Sequence, residues 1–149
     1  MQALAGPVRR RCNGDLATPR QDTTMMTPAA RSLHAFGLYL IGAGALLMLA
    51  PALLLAPLGL PAPADAWGRV AGMLVAFLGI YYLVGARAEL LSFMRASVWV
   101  RTSVIAILAA FVAAGLAPAP LLAFGVIDLA AAAWTWLALR SMGAGLRAT

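Results

Sequence analysis

Four long apolar runs, at residues 33–56, 67–85, 96–116 and 121–139, constrain this chain more than any other feature. Each approaches the roughly 20 residues that an α-helix needs to cross about 30 Å of hydrocarbon, at about 1.5 Å per residue. An open strand edge has no water to satisfy it in lipid, and four segments are too few for a barrel. The expected fold class is therefore all-α, an integral membrane four-helix bundle. Composition agrees with this. Hydrophobic residues make up 63% of the chain and charged residues 11%, against roughly 45–50% and about 25% in soluble domains.

The joints between the runs carry helix breakers. Pro57, Gly59, Pro61 and Pro63 follow the first run, and Pro118 and Pro120 make a tight turn between the third and fourth. Pro51 falls inside the first run and is expected to kink that helix, which neighbouring helices can tolerate. This gives a disordered N-terminal segment at 1–32, a transmembrane domain at 33–140 and a cytoplasmic tail at 141–149. Met25 and Met26 stand just before the first run and offer an alternative start. Ala64-Asp65-Ala66 has the small residues of a signal-peptide cleavage site, but the apolar run before it exceeds the 7–15 residues of a signal core.

Charge sets the expected orientation. The net charge of +6 comes from eleven basic residues, all of them arginine, and these stand at the ends of apolar runs. Arg31 precedes the first run, Arg87, Arg95 and Arg101 surround the middle loop, and Arg140 and Arg147 follow the last. Because cytoplasmic loops retain positive charge, both termini and the middle loop are expected inside. Trp67 at one level, with Tyr81, Tyr82, Trp99, Trp134 and Trp136 toward the other, fits interfacial aromatic belts. Arginine-only, alanine-rich usage points to a bacterial inner membrane, with the lipid bilayer as first partner and no nucleic acid.

Small residues recur every fourth position on the second helix (Gly68, Gly72, Ala76) and on the third (Thr102, Ala106, Ala110, Ala114). Such stripes let backbones approach closely and mark helix packing. On the fourth helix Gly125, Asp128, Ala132 and Thr135 share one stripe, with Leu129, Trp134, Trp136 and Leu137 outside it. A carboxylate at that depth is costly unless it is paired, hydrated or protonated. Asp128 should therefore face the bundle interior, with Arg101, Arg69, Ser103, Tyr81 or Tyr82 as partners. Two readings stand: a polar clamp that fixes helix register, and a protonatable or cation-binding site. By contrast Asp65 with Arg69, and Glu89 among Arg87 and Arg95, read as solvated ion pairs. His34 reads as interfacial.

One His and one Cys supply no bis-histidine haem site and no thiolate cluster, and no phosphate-binding glycine loop is present. No metal, no cofactor and no catalytic set are expected, which argues against an enzyme. The stretch YYLVGARAELLSFMRASVWVR, followed by the proline turn and DLAAAAWTWLALR, resembles a group of small, functionally uncharacterised bacterial four-helix membrane proteins over most of residues 34–140. The overall plan is distantly similar to DoxX-type membrane proteins. The resemblance implies that Tyr81, Tyr82, Arg101, Asp128 and Thr135 are signature positions, and that Arg101 and Asp128 belong to one architecture. Neither resemblance implies a reaction. The expected function is an accessory or interaction subunit, as a homo-oligomer or within a membrane complex. The alternative is a homo-oligomeric proton- or cation-coupled transporter of small solutes using Asp128. An enzyme acting on a lipid or quinone is a third reading.

Overall fold

The computed structural model describes residues 26–145, with side chains to Met142, and among these every regular element is helical. Residues 1–25, with the expected disorder and the alternative start at Met25, lie outside the described residues. The long helices are α1 (Pro28–Leu49), α3 (Ala66–Arg87), α4 (Leu91–Ala113) and α5 (Leu122–Gly145). A short helix α2 (Pro51–Leu55) follows α1. Among the described residues, four helices are long and apolar enough to cross a membrane.

The ends of these helices follow from local chemistry. Helix α1 begins at Pro28, inside the stretch expected to be disordered, because Thr27 caps it: the Thr27 hydroxyl accepts from the Ala30 N–H at 3.2 Å, and Pro28 has no N–H to satisfy. At its other end Pro51 breaks the helix instead of kinking it. Ala50 adopts φ −143°, ψ 64°, and Pro51 starts the separate helix α2. A proline removes a ladder hydrogen bond and disfavours helical geometry in the residue before it, and Arg69 of α3 takes the Met48 carbonyl near the break at 3.1 Å. Three termini close with the same pair of bonds: Leu60 N–H to Leu55 and Gly59 to Ala56, Leu90 to Gly85 and Glu89 to Ala86, Leu116 to Phe111 and Gly115 to Val112. This motif requires a left-handed residue, supplied by Gly59, Gly115 and, unusually, Glu89 at φ 47°.

Helix α1 is the centre of the bundle and touches α3, α4 and α5. Its contact with α3 is a backbone-to-backbone approach. A methyl group at Gly72 would stand 2.6 Å from the Met48 nitrogen and 2.7 Å from the Gly44 carbonyl oxygen, and one at Gly79 would stand 2.7 Å from the Gly37 oxygen. Gly37 faces Gly79 and Gly44 faces Gly72 across the antiparallel pair, with Ala76 beside Gly44. Gly68 meets only the ring of Pro63 in the preceding loop. On the other side, Gly125 of α5 seats Ile105 and Leu108 of α4.

All four long helices meet at one end only. There Ala29, Ala30, Leu33, Phe36, Leu40, Tyr82, Ala86, Met94 and Ala138 form the buried core, and Met94, Ser97 and Arg101, all in its first half, are the buried residues of α4. This closed end is also stapled by Glu89, whose carboxylate accepts the Thr27 N–H at 2.9 Å. The α3–α4 loop is thereby tied to the start of α1, where the helix dipole favours a negative charge. Glu89 thus caps a helix in place of the expected arginine pairing. Toward the other end the pairs α1–α3 and α4–α5 separate. The small-residue stripe expected to pack on α4, Thr102, Ala106, Ala110 and Ala114, is exposed, because α5 is received by the neighbouring face bearing Ile105 and Leu108.

Candidate functional site

Among the described residues Arg101 is the largest fully buried side chain, with 2% of its surface exposed. Its position follows from the phase of α4: Met94, Ser97 and Arg101 recur at spacings of three and four, so all three point into the closed end. The guanidinium lies over the Phe36 ring, 4.2 Å from the centroid, and 5.3 Å from that of Tyr82. Such stacking favours a desolvated cation. Nη2 donates to the hydroxyls of Ser97 and Thr135, both at 3.2 Å. Nε and Nη1 are buried with no hydrogen-bond partner.

The hydroxyls are themselves anchored. Ser97 donates to the Met94 carbonyl at 2.8 Å and Thr135 to the Ala131 carbonyl at 2.9 Å, leaving their lone pairs for Arg101. Ser32 of α1 lies 3.0 Å from Thr135 and 2.8 Å from the Ala29 carbonyl. Tyr82 packs edge-on against Phe36 at 5.2 Å and Phe93 at 5.3 Å. Every long helix therefore contributes to one cluster: Ser32 and Phe36 from α1, Tyr82 from α3, Ser97 and Arg101 from α4, and Thr135 from α5.

Asp128 stands apart. It is two turns before Thr135 on α5, about 10 Å along the axis, and it is half-buried. The partners expected for it are engaged elsewhere. Arg101 bonds to hydroxyls, Ser103 to the Val100 carbonyl at 2.7 Å, and Arg69 to the Met48 carbonyl at 3.1 Å, one of the last acceptors of α1. Tyr81 is 68% exposed and faces away from the bundle, whereas Tyr82 is 5% exposed and is a core residue, not part of an interfacial belt. Asp128 instead lines a groove of about 410 Å³ bounded by α1 (Tyr39, Ala43, Leu47), α2 (Leu54, Leu55), α3 (Ala71, Val75) and the start of α5 (Phe124). It is the one charged residue in that lining.

The expected site residues thus divide into two places. Arg101, Thr135 and Tyr82 share the closed core, Asp128 lies in the groove, and Tyr81 joins neither. Sequence reasoning missed Ser32, Phe36 and Ser97, together with the glycines Gly37, Gly44 and Gly79. Ser32 sits one residue before the apolar run, so a hydropathy boundary discards it. The i−4 position of Ser97 relative to Arg101 was the one local signal available.

The described residues form an all-α bundle with four helices long and apolar enough to cross a membrane. Comparison with family models, with curated proteins and with solved structures finds no match for this chain.

Proposed function

We propose that this is a multi-pass protein of a bacterial inner membrane, with both termini cytoplasmic, that binds a proton or a lipophilic cation at Asp128 in the service of transport. One observation carries the reading: a lone carboxylate, with its expected basic partner committed to another cluster, lines an apolar groove between the two helix pairs. An ionisable group at membrane depth is rarely retained without a role. The apolar walls suit the body of an amphiphile, and the carboxylate suits its positive charge. Arg101 belongs to the scaffold in this reading, so Arg101 and Asp128 act separately. The orientation rests on the arginines at the closed end, Arg31, Arg87, Arg95 and Arg140.

The test is tetraphenylphosphonium binding and proton flux with the purified chain in proteoliposomes. Asp128→Asn should keep the helical content and melting temperature of the parent and lose at least about 10-fold in cation affinity, a difference of roughly 1.4 kcal/mol. Equal binding by both proteins would refute the site. A second reading, an accessory subunit of a membrane complex, is favoured by the exposed small-residue stripe of α4. It requires stoichiometric co-purification from native membranes that is lost when Ala106 and Ala110 are enlarged to leucine.

A further inference from the structure

The outer face of the α4–α5 hairpin carries a second groove, of about 550 Å³, whose lining includes Arg95, Trp99 and Thr102 of α4 and Leu129, Trp136 and Arg140 of α5. Both arginines are exposed. Because α4 and α5 are antiparallel and both residues lie near the closed end, the two side chains leave their helices at similar levels, with the Arg95 backbone roughly 9 Å nearer that end than that of Arg101. Arg140 is held over the Trp136 ring at 4.0 Å, so one of the two cations is already positioned. The lining holds two positive charges and no acidic residue. Below the arginines it continues as an apolar channel past Leu129, Ala132 and Ala133 toward the middle of the span.

We infer that this groove is a binding site for an anionic phospholipid, with the headgroup phosphate between Arg95 and Arg140 and an acyl chain along the α4–α5 seam. Charge and polarity change in the same order along the groove as along such a lipid: cationic and aromatic at the interface, apolar toward the centre. Arginine recognises phosphate through several donors in a fixed plane, and indole rings favour the interfacial level. Basic clefts between spanning helices select anionic headgroups for these reasons. The inference rests on membrane insertion of the chain, but not on its orientation or on a role for Asp128.

Native mass spectrometry of the full chain released from detergent micelles tests it, with phosphatidylglycerol or phosphatidylcholine added at equal concentration. The parent should retain phosphatidylglycerol preferentially. Arg95→Gln with Arg140→Gln should weaken that retention roughly fivefold per arginine, about 25-fold together, with phosphatidylcholine unchanged. Both side chains are exposed, so the fold should survive, and circular dichroism checks that it does. Arg31→Gln with Arg87→Gln, at the same end but outside the groove, should keep the preference. Equal retention of the two lipids by the parent, or an equal loss from the two double variants, overturns the site. So does a double variant that changes only the oligomeric mass, which would make the groove a contact between copies. Failure of the chain to enter vesicles at all would count instead against the proposed membrane function.

Discussion

Arg101 shows how a charged side chain can be buried among helices with no carboxylate in contact with it. Its plane is stacked on Phe36 and its Nη2 is fixed by Ser97 and Thr135, yet two of its nitrogens are left without partners. Burying an unpartnered donor is unfavourable, and replacing a buried charge by an apolar group of similar volume is often neutral or stabilising. Ser97 and Thr135 keep their bonds to backbone carbonyls when Arg101 is removed. Arg101→Met should therefore leave the melting temperature in detergent unchanged or raised. Arg101→Lys keeps the charge but loses the planar fork and its stacking, and should destabilise the bundle by about 2 kcal/mol or more. A methionine variant as unstable as the lysine variant would show that the guanidinium itself, and not merely a filled core, is required. Asp128 differs because the groove gives it access and no residue expected as its partner reaches it, which is why its replacement is expected to change binding and not stability.

Among the elements, α1 and α3 are joined where side chains are missing. Gly44 with Gly72 and Gly37 with Gly79 bring the two backbones into contact, and in lipid such packing replaces the hydrophobic effect as the driving force for association. Gly72→Ala places a methyl against the backbone of Met48 and Gly44, which cannot move without parting the helices. It should cost about 1–3 kcal/mol, read as a lower melting temperature. Gly68→Ala meets only the Pro63 ring in an exposed loop and should cost much less. Equal losses at the two positions would contradict the assigned interface. The stripe on α3 was legible in the sequence, since Gly72 and Ala76 stand at the expected spacing. Its partner stripe on α1 was not, because Gly37 and Gly44 are seven residues apart and are interleaved with Gly42, which meets nothing within 4 Å. On α4 the same kind of spacing marked an exposed face, so small-residue periodicity alone does not say which face is covered.

For the whole molecule, the closed and open ends define a polarity that topology mapping can test. Single cysteines introduced in a chain with Cys12 replaced by serine should react with a membrane-impermeant maleimide from the cytoplasmic side at Ala88, and from the opposite side at Ala62 and Ala117. Labelling of Ala88 and Ala62 from the same side would exclude the proposed four-span topology. The closed end, rich in arginine, also presents the Arg95 and Arg140 groove, while the end with proline turns presents the groove of Asp128. The two grooves are therefore placed toward opposite ends of the molecule.

Read alone, the sequence determined the helical class, the number of long helices and the residues worth examining, because hydropathy and proline are local properties that need no partner to act. It also marked the buried stripe of α5, where Gly125, Ala132 and Thr135 are covered and Trp134 and Leu137 are not. Tertiary structure alone decided that Arg101 and Asp128 part company. Which acceptor an arginine reaches depends on the rotation and level of the neighbouring helices, and those were set by glycines on α1 and by Ser32, outside the segment that hydropathy delimits. Asp128 was singled out for its place in the middle of an apolar run, and the packing of α1, α2 and α3 against the start of α5 is what left it facing a groove.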